Sequence, residues 1–163
     1  MYFSTDYDSP VGKMLIVSDG EAICGVWFYG QKYFPSFDNL IINDDLPIFK
    51  TVKLWFDDYF NRMNPKITFK MKPSGSEFRV KVWKILSEIP YGKTVTYGDI
   101  ASRISPSMSP QAVGGAVGHN PIAILIPCHR VMGANGRITG YAGGIDKKRA
   151  LLKIENSFNN QVV

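Results

Sequence analysis

Residues 120–131 read Asn120-Pro121-Ile122-Ala123-Ile124-Leu125-Ile126-Pro127-Cys128-His129-Arg130-Val131. The apolar run 122–126, rich in β-branched residues and bracketed by prolines, predicts a short buried strand. It delivers Cys128 between Pro127, which fixes the backbone, and His129, which can take a proton. A free thiol is only about 3 % ionised at pH 7, so a nucleophilic cysteine needs such a neighbour. Lowering its pKa by roughly two units would make it mostly thiolate, at some loss of intrinsic nucleophilicity. A buried Cys beside a His is equally an ordinary core pair, and adjacent side chains on a strand point to opposite faces. The dipeptide alone leaves both readings open.

At 163 residues the chain suits one domain or two small ones and can bury an ordinary core. No apolar run approaches the roughly 20 residues that span a bilayer, and no signal-peptide pattern opens the chain. Two cysteines, Cys24 and Cys128, and two histidines, His119 and His129, are too few and too scattered for a zinc spacing. A cysteine-poor chain of this size favours reduced thiols in a cytoplasm, although counting alone does not exclude a disulfide. Charge is unevenly placed. Residues 1–73 carry eight Lys/Arg against nine Asp/Glu, whereas 74–163 carry eleven against five, −1 and +6 of the total +5. A basic half fits a polyanion such as nucleic acid, and it equally fits a solubilising surface.

The first half predicts a β-rich domain with one helix. Strands are expected over 2–7, 13–18 and 22–29, separated by Ser9-Pro10-Val11-Gly12 and Asp19-Gly20. Cys24 falls inside the third, as core. Residues 30–45 show little periodicity and read as an irregular connection. Ile48, Val52, Trp55, Phe56, Tyr59 and Phe60 recur at helical spacing behind Pro47. Alternation at Ile67, Phe69 and Met71 adds a fourth strand. A domain boundary is expected at residues 72–75, giving domains 1–73 and 74–163.

Past that boundary Phe78, Val82, Ile85, Leu86 and Ile89 mark an amphipathic helix ended by Pro90-Tyr91-Gly92. Thr96 and Asp99 form a capping-box pair ahead of a short helix, and Ser109-Pro110 opens another. Two short helices joined by a turn outline a helix-turn-helix or a plain helical hairpin. Asn135-Gly136 predicts a wing-like hairpin with Arg137 near its tip. Tyr141-Ala142-Gly143-Gly144 reads as a loop whose amides can approach a ligand, and Asp146 as the cap of a last helix ending near Glu155. The tail from Asn156 onward reads as frayed.

Asn-Pro, an apolar run and then Pro-Cys-His-Arg-Val resembles the active-site segment of the O6-alkylguanine-DNA alkyltransferases, also called methylated-DNA–protein-cysteine methyltransferases. The resemblance is dense from about residue 76 to 155 and thin before it. It implies a two-domain α/β (α+β) fold, an RNase H-like N-terminal domain followed by a winged helix-turn-helix domain. It implies a damaged nucleotide rotated out of double-stranded DNA, because O6 of a stacked guanine is out of reach. Cys128 would be nucleophile and alkyl acceptor, His129 would take its proton through a water, and Glu155 would orient His129. Tyr97 would protonate guanine N3, and Asn120 would brace the turn before the cysteine. The carbonyls of Cys128 and Val131 would accept from the guanine amine, and Tyr141, Ala142 and Gly143 would line the pocket.

The same resemblance puts Thr96, Tyr97, Gln111, Ala112, Gly115, Val117 and Arg130 on the DNA face. Gln111 stands where many members place an arginine, and Val117 where some carry a longer wedge residue. The implied reaction is one irreversible methyl transfer from O6-methylguanine, less readily O4-methylthymine, to Cys128, with no cofactor and no metal. A cytoplasmic monomer without membrane contact is expected. The rivals are a non-enzymatic sensor of alkylated DNA, a helix-turn-helix regulator, and a cysteine hydrolase built on Cys128, His129 and Glu155. Members that only sense damage lack the cysteine present here.

Overall fold

A computed structural model describes residues 1–156, and the tail expected from Asn156 lies, past that residue, outside them. The chain divides into two compact units, one of Met1–Ser74 with Pro121–Ala123, the other of Gly75–Asn120 with the residues from Ile124 onward.

The first unit is a five-stranded sheet and one helix. Strands β1 (Tyr2–Ser9), β2 (Gly12–Ser18) and β3 (Ala22–Phe28) form an antiparallel meander. Ser9 pairs with Gly12 across the first turn, and Asp19 Oδ1 accepts the Glu21 and Ala22 amides in the second. Apolar side chains on β2 and β3 are buried on both faces. The stretch read as irregular contains a further strand, β4 (Leu40–Ile42), parallel to β1 at the sheet edge. Of the expected fourth strand only β5 (Lys70–Met71) forms, parallel to β3. Helix α1 (Pro47–Phe60) buries Phe49, Val52, Phe56 and Tyr59, and Phe56 packs 5.3 Å from the Tyr7 ring.

Residues 121–123 belong to this unit because the Val26 amide donates to the Pro121 carbonyl at 2.8 Å and Ala123 to Val26 at 3.0 Å. Only Ile122 makes a strand-like bridge. The expected strand over 122–126 is therefore absent. Ile124 sits at φ 69°, a left-handed conformation that a β-branched residue adopts at a cost, and it turns the chain out of extension. All five residues are nonetheless buried. The apolar run encodes burial here, not extension.

The second unit opens with α2 (Glu77–Leu86), whose N-cap Ser76 accepts the Arg79 amide. The Trp83 indole N–H donates to the Ala116 carbonyl at 2.8 Å, fixing α2 against α4 (Pro110–Gly118). Thr96 and Asp99 cap α3 (Tyr97–Ile104) reciprocally, as their spacing predicts, and Ser109 caps α4. Residues 105–109 join the two helices, so the helix-turn-helix outline is present. Strands β6 (Val95–Thr96) and β7 (Val131–Met132) pair in parallel.

The wing differs from the expectation. Asn135 does adopt φ 59°, but it sits in a 3-10 turn (Ala134–Gly136) closed by the Gly133 amide on the Arg137 carbonyl, with no ladder beside it. The last helix, α5 (Ile145–Ile154), is capped at Gly144, whose φ is 104°, and not at Asp146. Asp146 stands in the first turn, where its charge complements the helix dipole.

Candidate active site

Pro127 ends the buried run, and a single 3-10 turn (Cys128–Arg130) presents Cys128 and His129 before β7 begins. In a turn, unlike a strand, neighbouring side chains are not forced to opposite faces, which removes the geometric objection to a Cys-His pair. Cys128 is buried at 7 % exposure. The Asn120 side chain donates to the Ile126 carbonyl at 2.7 Å and also reaches the Cys128 sulfur, so one amide fixes the turn and supports a thiolate.

Burial pushes the Cys128 thiol up, against the Asn120 hydrogen bond, the Lys148 ammonium and the Tyr141 hydroxyl, all of which favour the anion. The net direction is upward, opposite to the lowering that a resting thiolate requires. The sulfur therefore waits as a thiol and needs a base at the moment of reaction.

That base has the required partner. His129 is fully buried, with Nε2 2.6 Å from Glu155 Oε2. Burial lowers its pKa despite the carboxylate, so the ring is neutral. Glu155 is the C-cap of α5, where an anion opposes the helix dipole. Burial alone would raise its pKa, but His129 and Arg130 outweigh burial and hold the carboxyl well below the usual range. A neutral imidazole facing a carboxylate donates its Nε2–H, which leaves Nδ1 with a lone pair. Nδ1 is buried and finds no hydrogen-bond partner among the described residues.

The remaining pocket residues lie on the stretch before α5. The Gly144 amide closes a turn on the Tyr141 carbonyl at 2.9 Å, leaving Ala142 and Gly143 half-exposed in its middle. The buried Tyr141 hydroxyl faces Cys128 without a hydrogen bond of ordinary geometry. Tyr97, at the start of α3, is half-buried, and burial pushes its hydroxyl pKa up against the influence of the neighbouring Thr139. Among the described residues no group of three or more His, Cys, Asp or Glu is placed to hold a metal, and no helix is long and apolar enough to cross a membrane.

A model of the 6-O-methylguanine DNA methyltransferase ribonuclease-like domain matches residues 1–73, and one of the DNA-binding domain of the same proteins matches 77–157. The chain belongs to the 6-O-methylguanine DNA methyltransferase family. It is 44 % identical over 154 residues to a methylated-DNA–protein-cysteine methyltransferase of Haemophilus influenzae, covering 94 % of this chain and 86 % of the relative. It is similar to the O6-methylguanine methyltransferase structure of Mycobacterium tuberculosis at 39 % identity and TM-score 0.87, covering 96 % of this chain and 94 % of the other. The Mycobacterium tuberculosis OGT structure in complex with DNA matches at 38 % identity and TM-score 0.85, over 98 % and 94 % of the two chains.

Within this methyltransferase fold the residues expected on the DNA face separate into two groups. Gln111, Ala112 and Gly115 are exposed on α4, and nothing lies within 4 Å of where a Gly115 side chain would begin. Thr96 is half-buried, its hydroxyl accepting the Asp99 amide but still able to donate. Val117 is buried at 5 % exposure, packed on the inner side of α4, and offers no wedge in this conformation. Arg130 is turned inward. Its guanidinium is committed to Glu155 and to the Ile89 carbonyl rather than exposed on the face expected to meet DNA.

Lys148 is the site residue that sequence reasoning missed. It is wholly buried, and Nζ donates to the carbonyls of Val131 at 2.6 Å, Gly140 at 3.3 Å and Thr139 at 3.5 Å. Burial lowers its pKa to about 8, with Cys128 opposing the shift. A carbonyl oxygen has two lone pairs, so this bond by itself does not exhaust the Val131 acceptor. The signal was present: Ile145, Lys148, Leu151, Leu152 and Glu155 share one helical face, so spacing alone places this lysine inward.

Proposed function

We propose that this methyltransferase repairs O6-methylguanine in double-stranded DNA, and less readily O4-methylthymine, by moving the methyl group once and irreversibly to Cys128. The observation that carries the assignment to these residues is the His129–Glu155 pair at 2.6 Å with Nδ1 left to accept a proton, adjoining a buried cysteine. The damaged base is itself the alkyl donor. The working form is a cytoplasmic monomer.

In the proposed step Sγ attacks the methyl carbon, the S–C bond forms, and the C–O6 bond breaks with its electron pair going to guanine. The thiol proton passes through a water to His129 Nδ1. Tyr97 delivers a proton to guanine N3, because neutral guanine is a better leaving group than its anion. This leaves His129 as imidazolium and Tyr97 as tyrosinate; solvent then carries the imidazolium proton to the tyrosinate, so that net one hydrogen moves from sulfur to guanine. Asn120 and Tyr141 face the sulfur with donors, and the Lys148 ammonium adds a nearby positive charge, which together stabilise the sulfur's charge while the bond forms. The thioether product is a poor leaving group, so the protein does not turn over. The carbonyls of Cys128 and Val131 accept from the guanine amine, and the amide of Ala142 faces O6, with Tyr141 and Gly143 lining the pocket.

Incubation with duplex carrying O6-methylguanine is expected to add one methyl group per protein, located by peptide mass spectrometry on Cys128. Unmodified protein after exhaustive incubation, or repeated turnover, refutes the proposal. The DNA face is tested apart from the chemistry. Gly115→Glu places a negative charge in open space on α4, so the fold is expected to hold while DNA affinity falls about tenfold through lost phosphate attraction. Unchanged affinity in a gel-shift titration at low salt removes α4 from the interface.

A further inference from the structure

The interactions of Arg130 go beyond what the reaction above uses. Its Nε and Nη2 meet the two Glu155 carboxylate oxygens at 2.8 and 3.2 Å, and Nη1 donates to the Ile89 carbonyl at 2.7 Å. The guanidinium lies 5.8 Å from the centre of the Tyr91 ring, and the side chain is 11 % exposed while that of Glu155 is wholly buried. Glu155 also receives the Gly92 amide at 3.3 Å.

Charge counting gives this fork a consequence. Carboxylate, guanidinium and neutral imidazole together carry no net charge. Without the guanidinium the same buried group carries −1 at the negative end of α5, and the simplest relief is a bound proton. That proton disables the base wherever it settles. On Glu155 it is donated to His129 Nε2 and drives the imidazole's own hydrogen to Nδ1; on the ring it makes imidazolium, also protonated at Nδ1.

We infer that Arg130 is a positioning residue for methyl transfer, the group that keeps Glu155 ionised and thereby holds His129 in the tautomer with a vacant Nδ1. The inference rests on the function proposed above. The charged and titratable groups facing the pair are Arg130 itself, Lys148 on α5, Cys128 and Tyr141. Arg130 and Lys148 both oppose a proton on His129, so Lys148 remains to oppose it when Arg130 is removed.

The test is the single-turnover rate of methyl transfer to full-length protein from O6-methylguanine duplex, measured from pH 5.5 to 9.5. In Arg130→Met the acid limb of the profile is expected to move up by about one unit, so that the rate falls by up to about tenfold along that limb, by about threefold or less at pH 7, and recovers at high pH. Arg130→Lys restores one positive charge and should bring the limb most of the way back, even with a lower melting temperature. An equal loss at every pH with the limb unmoved, or a lysine variant no better than methionine, overturns the inference. The wild-type protein gives a second readout independent of variant folding. Its 15N imidazole spectrum should show Nε2 protonated and Nδ1 unprotonated at pH 8, and the reverse also overturns it. Failure of wild-type protein to take up methyl sinks the proposed function instead, so the two failures are distinguishable.

Discussion

Cys128→Ser protein takes up no methyl group from O6-methylguanine duplex while still binding that duplex with unchanged affinity. The substitution keeps the turn, the Asn120 amide and the Lys148 ammonium in place and changes only the reacting atom. A hydroxyl holds its proton far more tightly than a thiol, and the site already pushes a thiol up by burial. The neutral His129 imidazole is a base matched to sulfur and not to an alcohol. Loss of a nucleophile acting within a relay typically removes at least about a thousandfold of rate, so transfer should fall below detection by mass spectrometry. Methylation at any other residue of this variant, or residual repair, would move the chemistry away from Cys128.

How much of this arrangement is legible in the sequence depends on how local its cause is. The meander β1–β3 follows from alternation and from Asp19-Gly20, and α3 from the Thr96–Asp99 box, because each is decided within a few residues. β4 is not legible, since a three-residue edge strand gains its identity from parallel pairing with distant β1. The run 122–126 misleads for a different reason. Burial on all sides produces the same β-branched composition in an irregular segment as in a central strand, and periodicity does not separate them. Cys128, His129 and Glu155 are found by motif, and the 2.6 Å bond joining the last two spans 26 positions. Arg130 shows the limit most clearly. The resemblance puts it on the DNA face, and only the position of Glu155 in space turns it inward.

That inward cluster carries the second large effect, expected for Glu155→Gln. The amide matches the carboxylate in shape but brings one nitrogen where an acceptor is needed, facing either His129 Nε2 or Arg130. It also removes the charge that offsets a guanidinium only 11 % exposed. Breaking one side of a buried pair costs about 3–5 kcal/mol, because the remaining charge is left unpaired. Methyl transfer should fall about a hundredfold, within the range lost with a general base that is no longer oriented.

The pH dependence fixes the origin of the stability loss. Glu155 has a folded pKa well below its unfolded value near 4.3, so between those two values the unfolded chain binds more protons than the folded one. Stability from this group is thus fully present above about pH 5 and is lost as pH falls through the folded pKa. Urea unfolding at pH 7, 5 and 3 should show wild type well ahead of the glutamine variant at the first two and the gap narrowing at the third. A gap that stays constant from pH 7 to 3 would mean that packing, and not the ionised carboxylate, holds the end of α5 against the cysteine turn.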